Sequence, residues 1–68
     1  MTVAFGRVIE FDEHVGLGRV ETEDGRVLLF HCTQLVDGSR TVDVGAAVRF
    51  EVVAGHLGQW EAARVEKQ

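Results

Sequence analysis

His31 and Cys32 stand side by side, and two further histidines lie at 14 and 56. These are the side chains that hold metals or serve as nucleophile and base, so they are the first to test for chemistry. Neighbouring residues of a strand point to opposite faces. His31 and Cys32 therefore do not converge on one ion, and His14 and His56 have no spacing that completes a ligand set. A nucleophilic Cys32 needs a base and a group to orient that base, and nothing in the sequence marks either. Gly16-Leu17-Gly18 has the start of a phosphate cradle but lacks the following helix and the Gly-Lys-Ser/Thr ending. The expectation is a non-enzyme with no metal and no cofactor.

The remaining chemistry is that of binding. Six arginines and one lysine face eleven Asp and Glu, for a net charge of −4. Phosphate-gripping proteins commonly carry a basic excess. Here the acids cluster instead, at Glu10, Asp12 and Glu13 and again at Glu21, Glu23 and Asp24. The lone cysteine excludes an internal disulfide and suits a reducing, cytoplasmic setting. The beginning of the chain has no secretory pattern. Its longest apolar run, Val27 to Phe30, is far short of the roughly 20 residues that span a bilayer, so no membrane partner is expected.

The elements that must position these side chains are short. Proline is absent and glycine occurs eight times, so turns fall to Gly, Asp and Ser. Turn signals at 12–16, 23–25, 36–39, 43–45 and 55–58 separate segments rich in Val, Leu, Phe and Thr. These segments, about 3–11, 17–22, 26–31, 46–53 and 59–66, are expected as strands. Asp24-Gly25 signals a hairpin. Val48, Phe50 and Val52 alternate toward one face, the expected core. Ala62, Ala63 and Val65 have a helix-like spacing, but their segment is too short to stand as a helix. Residues 33–44 have no clear period and are expected as a loop with room for one 3₁₀ turn. The 68 residues are expected to form a single all-β domain, 1–68, built as a small five-stranded barrel. The pattern does not separate an OB-type from an SH3-like closure.

The segments "GRVIEFDEHVGLGRV", "LLFHCTQL", "VGAAVRFEVV" and "AARVEK" together resemble the bacterial cold-shock domain. The resemblance runs from Gly6 to about Lys67, with a deletion near 36–39. Gly6, Val8, Phe11, Asp12, Gly16, Gly18, His31, Gly45, Val48, Phe50, Glu51, Ala62, Ala63 and Val65 agree with the family pattern. It implies a Greek-key barrel of OB type that binds single-stranded RNA or DNA by stacking bases on exposed aromatic rings.

Most of those rings are missing. Glu10 stands where the family has Trp. Leu17 and Arg19 replace the aromatics of the glycine motif, and Leu29 and Cys32 those flanking His31. The aromatic of the next loop falls at about Ser39. Phe30 has the opposite parity from Leu29 and His31 and is expected in the core. The resemblance therefore implies weak or atypical nucleic-acid binding, with Arg19 and His31 stacking and Arg7 and Arg40 meeting phosphates. The substitutions point to an alternative: Ile9, Val15, Leu17, Leu29 and Trp60 form an apolar patch for a protein partner or a second copy.

Overall fold

The computed structural model describes residues 2–55 and 58–68. His56, and with it the middle of the turn expected over 55–58, lies outside the described residues. Five strands form: β1 (Thr2–Asp12), β2 (Leu17–Thr22), β3 (Val27–His31), β4 (Ala47–Ala54) and β5 (Trp60–Lys67). Each agrees with its expected segment to within a residue at either end. They close into a barrel in the order β1-β2-β3-β5-β4. β1 is long enough to pair with β4 through its first half and with β2 through its second. β3 and β5 meet in parallel, through Leu29 and Glu61. This parallel closure, with the first strand shared between two neighbours, is the OB arrangement and resolves the alternative left by the pattern.

The core is filled by Val8, Val20, Leu28, Phe30, Leu35, Val42, Val48, Phe50, Ala62 and Val65. Val48 and Phe50 are inward as expected, and Val52 packs against the core from a half-buried position. Phe30 is buried, in agreement with its parity, and stacks on Phe11 with ring centroids 6.0 Å apart. Leu35 and Val42 come from the segment expected as a loop with room for one 3₁₀ turn. A 3₁₀ turn at Cys32–Gln34 delivers Leu35 to the barrel end, where it bridges to Val65. A loop with two inward side chains has no period to betray them, because nothing regular links their positions.

Two strands carry an extra residue. In β1 the register moves from Val8↔Val20 to Glu10↔Arg19, which makes Ile9 the bulge. In β5 it moves from Glu66↔Arg49 to Ala63↔Glu51, and Arg64 there has a φ of +50°. A bulge bends its strand and tightens the local twist, which lets five short strands close around one core. It also accounts for the helix-like spacing of Ala62 and Val65: both face inward, three residues apart, because the bulge inserts one residue between them.

Candidate nucleic-acid interface

The outward side chains of β2 and β3 form the face on which the candidate residues lie. Leu17 pairs with His31, and Arg19 with Leu29. On the other side of β2, Asp12 pairs with Leu17, and Glu10 with Arg19. Two rows therefore cross the barrel wall: Asp12–Leu17–His31 and Glu10–Arg19–Leu29.

Two glycines make these rows possible. Gly16 has a φ of +73°, and a Cβ there would come within 2.8 Å of the Cys32 Sγ. Gly18 has ordinary strand dihedrals, but a Cβ would fall 2.6 Å from two ring carbons of Phe30 and 2.9 Å from the Glu10 carbonyl oxygen. Without a side chain at 18, β1 and β2 draw together over the Phe30 ring, and Glu10 meets Arg19. The entering turn is pinned by Asp12, whose Oδ1 accepts the backbone N–H of His14 at 2.9 Å and of Val15 at 3.4 Å.

A shallow hollow of about 650 Å³ opens between this turn and the two rows. Val15, Leu17 and Leu29 line it, with Phe11 and Gly18, and Glu10, Asp12, Glu13, His14 and Arg19 complete it. Val15, Leu17 and Leu29 are all exposed, as expected of them. Three carboxylates face one guanidinium, and that guanidinium is engaged: Arg19 Nε lies 3.3 Å from Glu10 Oε1. The hollow is thus aliphatic and acid-rimmed.

His31 sits at the end of the first row. Its Nδ1 accepts the Thr33 backbone N–H at 3.2 Å and lies 3.0 Å from the Thr33 hydroxyl. This acceptor role puts the ring proton on Nε2. The Cys32 Sγ is 3.9 Å away from the same Nδ1; the two side chains do not point to opposite faces as expected, because β3 ends at His31 and Cys32 begins the 3₁₀ turn. Among the described residues no group of three His, Cys, Asp or Glu side chains converges as metal ligands do.

The other candidates lie elsewhere. Arg7 lines a separate concavity with Phe5 and Glu21, and its Nη1 donates to the Gly45 carbonyl at 3.1 Å. Arg40 is exposed in the loop before β4. Ile9 and Trp60 are exposed, but neither lines the hollow. The apolar patch is therefore concentrated in Val15, Leu17 and Leu29. The Glu10–Arg19 contact was not anticipated from the sequence. Its only signal was that both residues replace aromatics of the resembled family, and their pairing depends on the register set by the Ile9 bulge.

No family model matches the chain. Comparison with curated proteins finds cold shock protein CspB of Bacillus caldolyticus and cold shock-like protein CspD of Bacillus cereus. Each is 36% identical over 63 residues, covering 91% of this chain and 94% of the relative. Cold shock-like protein CspC of Bacillus cereus is also 36% identical, over 95% of its length. Among solved structures, drosophila Unr CSD456 superposes with a TM-score of 0.80 at 26% identity. The match covers 98% of this chain and 27% of that longer one. No helix among the described residues is long and apolar enough to cross a membrane.

Proposed function

The chain belongs to the cold-shock protein family, and from that premise we propose that it is a single, non-enzymatic, cytoplasmic domain that binds single-stranded RNA or DNA weakly on the β2–β3 face. The observation that carries this reading is the pair of exposed cross-strand rows, in which Leu17, Arg19, Leu29 and His31 project from an unbroken ladder. Arg19 and His31 contact bases, and Arg7 and Arg40 contact phosphates from the flanks. Each missing ring removes about 1–3 kcal/mol of stacking, and the acidic rim opposes phosphate. Both effects lower affinity without removing the surface.

Titration with oligo-dT, oligo-U and a mixed-sequence strand at low salt, followed by NMR, tests it. Shifts are expected along Leu17 to His31 and at Arg7 and Arg40. Unchanged spectra at about 100 µM strand, within the usual range of non-specific binding, would rule the reading out.

A second reading is favoured by one observation, the meeting of Val15, Leu17 and Leu29 in an acid-rimmed hollow. In it the same face, extended toward Ile9 and Trp60, docks a protein partner or a second copy. Sedimentation at rising concentration tests self-association, and a monomer throughout would count against it.

A further inference from the structure

Glu10 and Arg19 are direct cross-strand neighbours, both more than half exposed, with Nε and Oε1 3.3 Å apart. Among the described residues neither side chain makes a hydrogen bond of good geometry. The carboxylate thus keeps lone pairs, and the guanidinium its terminal N–H groups, for a third partner. An exposed pair of this kind adds little to stability. It sits instead at the rim of the hollow, beside the aliphatic surfaces of Leu17 and Leu29.

The pair holds two acceptor oxygens on one side chain beside donor N–H groups on the next. Met in that order, these groups match the hydrogen-bonding edge of cytosine. Only guanine presents the complement on a single edge: N2–H and N1–H as adjacent donors, then O6 as acceptor. Thymine and uracil hold their N3–H between two carbonyl oxygens, which a carboxylate repels. Adenine and cytosine place one amine donor beside an acceptor ring nitrogen. We infer that the Glu10–Arg19 pair reads guanine in a single strand, with Glu10 accepting from N1–H and N2–H and Arg19 donating to O6.

This inference rests on the nucleic-acid reading above and gives it a base preference. Ring stacking tolerates every base because every base has a π face. Edge hydrogen bonding discriminates, because a wrong base leaves the paired groups facing like partners. Two stacking positions have been exchanged for one edge-reading pair, with Leu17 and Leu29 left to cover the base.

Fluorescence anisotropy with labelled thymidine strands tests the inference at low salt. One strand carries a single central guanine, one an inosine (which lacks the N2 amine), one a cytosine, and one thymine throughout. The guanine strand is expected to bind about tenfold tighter than the all-thymine strand, with inosine in between. Glu10→Gln is expected to reduce that preference below about twofold, with all-thymine binding equal to or better than wild type. Equal wild-type affinity for the guanine and thymine strands, or a preference that survives Glu10→Gln, overturns the inference and leaves single-strand binding standing. No binding of any strand at about 100 µM overturns both.

Discussion

At positions 10 and 19 an acid and a guanidinium project outward where the family resemblance implies rings. Restoring rings is therefore expected to restore stacking. Glu10→Trp combined with Leu17→Phe should tighten oligo-dT binding by at least about tenfold, since each ring adds about 1–3 kcal/mol; a calorimetric titration measures it. Position 18 tolerates no such freedom. Gly18→Ala drives a methyl into the Phe30 ring and the Glu10 carbonyl, at a cost of about 1–3 kcal/mol, visible as a lower midpoint in urea. Arg64 is the reverse case. Its φ of +50° is a conformation that Asn and Gly adopt with less strain. Its side chain is exposed, but the Glu51 carboxylate it pairs with at 3.2 Å is largely buried, so removing the arginine alone would strand that charge. With Glu51→Gln removing the stranded charge, Arg64→Asn is expected to raise stability by roughly 0.5 kcal/mol or more over the Glu51→Gln parent, read as a higher melting temperature.

The elements show what a sequence carries and what it withholds. Asp24-Gly25 announced the β2–β3 hairpin, and Gly25 adopts the positive φ its turn requires. Val48 and Phe50 announced β4 by alternation. The bulges were silent, because an inserted residue changes parity without changing composition. Val8 and Phe11, like Ala62 and Val65, lie three apart and both face inward. The exposure of Leu17 and Leu29 was legible, but the contact of Glu10 with Arg19 and the separation of Arg7 from the hollow follow from register. The loop before β4 was legible as loop but not as a tied one. Lys67 Nζ reaches the Ser39 hydroxyl at 2.8 Å, the Thr41 carbonyl at 3.2 Å and Asp37 Oδ2 at 3.2 Å. The Ser39 hydroxyl and N–H, and then Lys67, hold the Asp37 carboxyl down to about 2. A carboxyl depressed on folding stabilises the fold above its unfolded value and loses that contribution as pH falls through its folded one. The clasp is therefore expected to hold at pH 4 and above and to loosen toward pH 2, where the amide of Ser39 should exchange faster.

For the whole molecule the balance of charge decides how binding responds to its surroundings. Arg19, Arg26, Arg64 and Lys67 are each ion-paired, which leaves Arg7, Arg40 and Arg49 without a carboxylate partner among the described residues. On the proposed reading, in which Arg7 and Arg40 meet phosphates, few counterions are released. The slope of log K against log salt should have a magnitude of about 1.5 or less. A steeper slope would mean that the ion pairs open on binding.

The parallel meeting of β3 and β5 also has a consequence in time. β2 finds β1 and β3 through tight local turns, whereas β3 must wait for a strand some thirty residues later. The two long-range closures, β1 with β4 and β3 with β5, both form after the local hairpins, but the first is secured by six registered pairs and the second by one, Leu29 with Glu61, the wall's narrowest join. It is expected to be the last part of the barrel to assemble and the first to breathe. Because Leu29 belongs to both the seam and the proposed binding face, a strand bound there is expected to slow the opening of the barrel as well.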